Sequence, residues 1–292
     1  MIIQGKLKLC QNTREKAAES CLGALETVFN SSKKISEIEF KDLWLNELSK
    51  YSNIEKDGWY DHPPSGIAVL FSDGSNLDRV NYSNLRPEKY WPRDDIYFDP
   101  KGLGYLFASP YSIINNIPII GDFGFTYYLG KTQKIKNHFK KCFEVLDRLI
   151  DNIKIGLIFK ELYAISAEII ARNNLKNHIV GTTDKAITDF GHTIPFIDRD
   201  PNSTEQSDIN SGDLEKIHKV ISQARIFSSS VENYAISENC AFTFEPRFIS
   251  STDSSLPMFS FHTIIQFVAG KKIVLSNMDK IIKILKMEWI YE

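Results

Sequence analysis

A mixed α/β chain built from two similar halves is what the order of elements predicts. Three observations carry this reading. Amphipathic helix signals come in pairs, each pair is followed by short apolar runs punctuated by turn residues, and the series occurs twice. A short echo accompanies it: Phe40-Lys41-Asp42-Leu43 in the first half and Phe159-Lys160-Glu161-Leu162 in the second. The expected organisation is a single α/β domain over residues 1–292, with pseudo-repeat halves of about 14–133 and 134–276. Two such halves pack with a cleft between them, where ligands collect.

The first helix is expected over residues 14–29, where Ala17, Ala18, Cys21, Leu22, Leu25, Val28 and Phe29 form one stripe. Ser36 opens the second, with Glu39 placed to close a capping box, and Phe40, Leu43, Trp44 and Leu48 form its apolar face. Strands are expected at 66–71, 95–98, 104–107, 117–120 and 125–129. The second series starts with helices at 135–152 and 157–173, and its strands fall at 241–248, 260–268 and 272–275. Between them, residues 198–212 are polar and rich in turn formers, which predicts a disordered stretch or a lid. A helix over 213–227 follows as an insertion.

Composition narrows the function classes. The chain has 292 residues, 42% of them hydrophobic and 25% charged, which is a globular rather than a disordered composition. The formal net charge of -2 offers no global field for nucleic acid or an anionic membrane. No run reaches the roughly 18 apolar residues of a membrane span. The start, MIIQGKLKLC, has no apolar stretch of signal-peptide length. Cys10, Cys21, Cys142 and Cys240 lack metal-knuckle or disulfide spacing, so a reduced, cytoplasmic protein is expected.

Four segments place a metal-ligand residue type at the end of, or within, an apolar strand. They are Asp95-Ile96-Tyr97-Phe98-Asp99, Gly121-Asp122-Phe123-Gly124-Phe125-Thr126, Phe190-Gly191-His192-Thr193 and Phe242-Thr243-Phe244-Glu245-Pro246. A Glu in such surroundings is expensive to bury unless it is paired or on a metal. Carboxylates with one imidazole favour zinc, manganese, iron or cobalt.

In their order these segments resemble the catalytic domain of the pita-bread superfamily of methionine aminopeptidases, prolidases, aminopeptidase P and creatinase. The resemblance covers about residues 14–275. It implies one duplicated domain, with antiparallel sheet and helices on its outer face. In that family two Asp, one His and two Glu hold a pair of metal ions. Asp122-Phe123-Gly124-Phe125-Thr126 followed by Gly130 is similar to the Asp-x-Thr-Arg-Thr strand, and Gly191-His192 to the Gly-His motif. Phe242-Thr243-Phe244-Glu245-Pro246 is similar to Phe-Thr-Ile-Glu-Pro, and Asp99 takes the place of the preceding Asp. Gly74-Ser75-Asn76 resembles the Gly-x-Asn turn ahead of a substrate-facing histidine, whose position falls near Asn81.

The departures bear on chemistry. Phe261 stands where the last Glu of the family belongs, Phe125 where the strand has Arg, and the second-loop histidine has no counterpart at Ile197, Asp198 or Arg199. Asp99 precedes Asp122 by 23 residues (122 − 99), longer than the family interval, so an insertion is assumed at 103–118. The alternative register makes Asp122 the first Asp and Gly130 the second. His262, on the strand face opposite Phe261, is expected to point away from the site.

With these losses the resemblance implies one divalent ion (Mn, Fe, Co or Zn), or none. Asp99, Asp122, His192 and Glu245 are its candidate ligands, and His192 and Glu245 are the candidate catalytic residues. Asn81, Phe125 and Phe261 would face the substrate. The implied activity is that of a divergent metal-dependent hydrolase or lyase. Its substrate would be a small amide, guanidino or amino-acid-like molecule, or a short peptide-like one, with no nucleic-acid or membrane partner and a homodimer allowed. The alternative is an inactive member of the fold that binds or scaffolds.

Overall fold

The structure is a computed structural model that describes residues 2–55, 57–80, 87–178, 186 and 188–292. Chain order runs α1 (Ile2–Asn30), α2 (Glu37–Leu48), β1 (Ile67–Ser72), α3 (Leu77–Val80), β2 (Leu103–Ala108), β3 (Tyr111–Ile114), β4 (Ile117–Ile120) and β5 (Phe123–Tyr128). It continues with α4 (Gln133–Asn152), α5 (Phe159–Arg172), β6 (Leu175–Asn177), α6 (Ser203–Asn210), α7 (Leu214–Ala224) and β7 (Cys240–Phe244). The last elements are β8 (Arg247–Ser250), β9 (Phe259–Ser260), β10 (Thr263–Val268), β11 (Lys271–Leu275) and α8 (Asp279–Ile284). No described helix is long and apolar enough to cross a membrane.

Each half supplies an antiparallel sheet with its helix pair against it. The first is ordered β1-β2-β5 and the second β11-β10-β7, with β6-β8-β9 beside it and a β3-β4 hairpin. An isolated bridge between Phe125 and Phe261 links the halves. The Ser36 hydroxyl accepts from the Glu39 amide and the Glu39 carboxylate from the Ser36 amide, so the capping box forms as the sequence predicts. The apolar stripes of α1, α2 and α4 bury Ala17, Cys21, Leu25, Phe40, Trp44, Phe139, Cys142 and Leu149 in one core.

Four expectations need correction. First, α1 begins at Ile2 rather than near residue 14, because Leu7 and Cys10 extend its buried side into a second apolar cluster. Second, residues 95–98 are not a strand: only Tyr97 bridges, to Ser36. Third, the 198–212 stretch contains α6, started by a capping box in which Asn202 and Glu205 exchange side-chain and backbone hydrogen bonds. Fourth, the 241–248 run breaks at Glu245-Pro246 into β7 and β8, since Pro246 has no amide to continue the ladder. Residues 103–118, where the insertion is assumed, form β2, β3 and the start of β4.

Candidate active site

Two glycines allow the centre to assemble. A side chain on Gly121 would collide with the α1 backbone at Thr13 and Arg14, so only glycine lets the helix cross directly before Asp122. Gly191 has φ +133, and a side chain there would strike the Thr243 carbonyl. Its absence lets residue 192 pair with β7: the His192 amide donates to Thr243 Oγ1 at 2.9 Å and the Thr243 amide to the His192 carbonyl at 2.7 Å. The Glu245 amide donates to the Phe190 carbonyl at 2.8 Å, which fixes the acid beside the imidazole.

Asp122, His192 and Glu245 thereby converge, all nearly inaccessible to solvent. His192 Nε2 lies 3.8 Å from Asp122 Oδ2 and 3.8 Å from Glu245 Oε1. Its Nδ1 is 3.0 Å from the Thr193 carbonyl; a carbonyl only accepts, so Nδ1 carries the proton and Nε2 is the lone pair. Burial drives the imidazole down to about 3, assisted by the charge of Arg225, so it is neutral. Burial acts oppositely on Asp122 and pushes it up to about 8, although the Trp59 indole donates to Oδ1 at 2.6 Å. For Glu245, burial alone would raise the carboxyl, but His262 and Arg247 together hold it well below the usual range. His262 is the larger of these two influences and Arg247 the next, while burial lowers the His262 imidazole itself.

Several participants were not singled out from sequence. Arg14, fully buried in α1, donates to the Asp122 and His262 carbonyls and to the Ser276 carbonyl at 3.0 Å, pinning both flanks of the site. Arg225 stacks between Trp59 at 4.6 Å and Phe227 at 4.9 Å, and both rings also meet His192 edge-on. Arg247 reaches Glu245 Oε2 at 2.8 Å. An arginine in a polar helix stretch or two residues beyond a Glu gives no periodic signal, so only the Glu245-to-Arg247 spacing on one strand face was available as a hint.

Three candidates lie elsewhere. Asp99 sits in the turn before β2, its Oδ1 accepting from the Lys101 amide at 2.9 Å. β2 separates it from the centre: Leu103 at one end pairs with Tyr128, while Ala108 at the other pairs with Phe123, next to Asp122. Continuing that register puts Ser109, not Asp99, across from Asp122, an equivalence confirmed by the Pro110 carbonyl accepting from the Gly121 amide. Phe125 and Phe261 alternate away from Asp122 and His262, and pack with each other, Phe143 and Phe259 in the core. They line the interior rather than a substrate path. Asn81 lies outside the described residues. His262 is the converse correction: it does face opposite Phe261, and that face is the site, with Nε2 at 3.2 Å from Glu245 Oε2.

The ions implied by the resemblance do not fit this donor set. Glu245 Oε1 accepts from the Thr243 hydroxyl at 3.1 Å, and Oε2 is engaged by Arg247 and His262. Asp122 Oδ1 is engaged by Trp59, and Ser109 and Phe261 hold the places where further carboxylates would be needed. Among the described residues, no group of three His, Cys, Asp or Glu is arranged to hold a metal ion.

No protein-family profile matches the chain, and no curated protein matches it in sequence. Solved structures do. X-Pro aminopeptidase from Thermotoga maritima MSB8 aligns over 94% of this chain and 61% of its own, with 13% identity and a TM-score of 0.57. Prolidase from Pyrococcus furiosus aligns over 93% and 64%, with 15% identity and a TM-score of 0.57. Methionine aminopeptidase from Thermotoga maritima aligns over 91% and 96%, with 12% identity and a TM-score of 0.56. The chain therefore spans about three fifths of the first two and nearly all of the third. These likenesses define a peptidase-like fold, the pita-bread fold that the motifs resemble.

Proposed function

We propose that this chain is an acid–base enzyme on the peptidase-like fold. It would act on a small amide, guanidino or amino-acid-like molecule, or on a short peptide-like ligand, without the paired-ion water of the resemblance. One observation carries the reading. Asp122 from the first half and His192 from the second face each other with opposite protonation preferences, the acid holding its proton at neutral pH and the imidazole lacking one. Environments that push neighbouring groups apart in this way mark acid and base assignments. Asp122 Oδ2 gives its proton to a leaving nitrogen and, as the resulting carboxylate, takes back the proton that the attacking water loses. His192 Nε2 accepts a hydrogen bond from a ligand N–H or an attacking water and orients it. The duplicated single unit belongs to the same proposal, since each half contributes one of the pair.

A panel of dipeptides, amino-acid amides and guanidino acids, with products read by mass spectrometry, tests it. Turnover is expected to persist in EDTA and to fall by about 100-fold or more in Asp122→Asn. Loss of turnover in EDTA with recovery on manganese or zinc would overturn the metal-free reading. Tight binding without turnover of any compound would instead favour the scaffold alternative.

A further inference from the structure

We infer that Arg247 is the cation that faces Glu245 in this centre: its guanidinium occupies the electrostatic role of a bound metal ion there and keeps divalent ions out. This rests on the metal-free reading of the site. Glu245 is 6% exposed and follows the buried Phe242 and Phe244 along the chain, and at such burial an uncompensated carboxylate is not tolerated. Something positive must face it. The structure supplies Arg247, on β8 immediately beyond the β7 break at Pro246, with Nη2 at 2.8 Å from Glu245 Oε2.

The local backbone makes that contact obligatory. Glu245 and Arg247 flank Pro246, and each is anchored separately. The Glu245 amide is bound to the Phe190 carbonyl at 2.8 Å, and the Arg247 amide to Asn177 Oδ1 at 2.9 Å. β8 also pairs Arg247 with Ser260 on β9. The guanidinium is thus delivered to the carboxylate by the fold and is itself 8% exposed. A divalent ion approaching Asp122 Oδ2, His192 Nε2 and Glu245 would have to displace a charge-assisted bond and bring its own positive charge beside a buried guanidinium. Arg247 is in this sense a positioning residue, which holds Glu245 and excludes the ion without touching a reacting atom.

The test exchanges one cation for another. Wild type, Arg247→Met and Arg247→Lys are purified in EDTA, and zinc and manganese are titrated by calorimetry and by thermal melting. Wild type and Arg247→Lys, which keeps the charge, are expected to take up no ion and to melt unchanged. Arg247→Met is expected to melt lower in EDTA, to bind one ion per chain, and to recover stability on zinc or manganese. Adding His192→Ala should abolish that rescue. Stoichiometric metal on wild type would overturn the inference. So would an Arg247→Met protein that folds in EDTA as stably as wild type, or one that is destabilised yet neither binds nor is rescued by either ion. Chelator-resistant turnover is measured separately, so failure of the acid–base reading and failure of the Arg247 role are told apart.

Discussion

Two glutamates in this protein are buried against an arginine, and they behave differently. Glu37, at the start of α2, accepts from Arg79 Nε at 3.0 Å and from Arg79 Nη2, from the Phe71 amide at 2.6 Å and from the Arg93 amide at 3.0 Å. Burial raises its pKa, and the opposing Arg79 and backbone donors do not bring it back to the ordinary value. Glu245 is drawn well below that value by His262 and Arg247 despite its burial. A buried ion pair is therefore not in itself a sign of a site. Glu37 is surrounded by backbone amides and one guanidinium, none of which changes charge near neutral pH. Its four contacts tie α2, β1, α3 and residue 93 together. Glu245 is met by two imidazoles, a guanidinium and a hydroxyl of the second half, and one of those imidazoles, His192, also faces Asp122 of the first. The first arrangement is a clamp, and the second has the makings of chemistry.

The sharpest way to break this comparison is to remove the clamp. Arg79→Met leaves Glu37 without its guanidinium in a fully buried position and should lower the unfolding free energy by about 3–5 kcal/mol. Urea denaturation measures it, and an unaltered slope with a lower midpoint is expected. Whatever turnover the folded variant shows should match wild type, because Glu37 lies on the α2 side of β1. A loss below about 1 kcal/mol would mean that Glu37 is held neutral and that the pair clamps little.

How far the sequence discloses each region follows from the same physics. Glu245 is visible because an acid interrupts an apolar strand, where the period-2 pattern makes it anomalous. Glu37 is not, because an acid in the first turn of a helix is ordinary capping chemistry and its burial arises only when β1 packs over it. His192 and Asp122 are visible through their glycine neighbours, whose close approaches the structure explains. Arg14 lies on a helix whose stripe reads as core, and nothing local announces that its head group will reach the Asp122 and His262 carbonyls, 108 and 248 residues away. The face assignments of Phe261 and His262 depended on which side of the chain between β9 and β10 holds the site, and alternation gives two faces without naming either. The duplicated α/β organisation was legible in the order of elements, and the pita-bread fold in the resemblance that the Asp122, His192 and Glu245 segments carry.

The protonation contrast at the centre makes a pH prediction of intermediate size. Asp122 is raised from 3.8 to about 8, so its contribution is fully present below the unfolded value and is lost as pH rises through about 8. His192 is lowered from 6.5 to about 3, so its contribution is present above 6.5 and is lost as pH falls through about 3. Below 6.5 the two slopes oppose. Between 6.5 and 8 only Asp122 acts, and stability should decline with rising pH by at most about 1.4 kcal/mol per unit. Chemical denaturation at half-unit intervals should show that decline in wild type and a flatter profile in Asp122→Asn. Parallel profiles would mean that Asp122 is ionised in the folded protein and is no acid at neutral pH.

The smallest effect is expected at Asp99, and it decides the register. The six residues of β2 separate the turn that Asp99 closes from the end that faces Asp122, about 17 Å of extended chain. The carboxylate binds one backbone amide, that of Lys101, in a half-buried turn, and the side-chain oxygen of asparagine can accept the same bond. Asp99→Asn should therefore change stability by no more than about 0.5 kcal/mol and leave turnover untouched. His192→Ala, at the centre, should abolish turnover in the same assay. If Asp99→Asn instead removed activity while folding normally, Asp99 would have to reach the centre, the β2–β5 pairing that puts Ser109 opposite Asp122 would be wrong, and the charge balance assigned to Arg247 would need a third carboxylate.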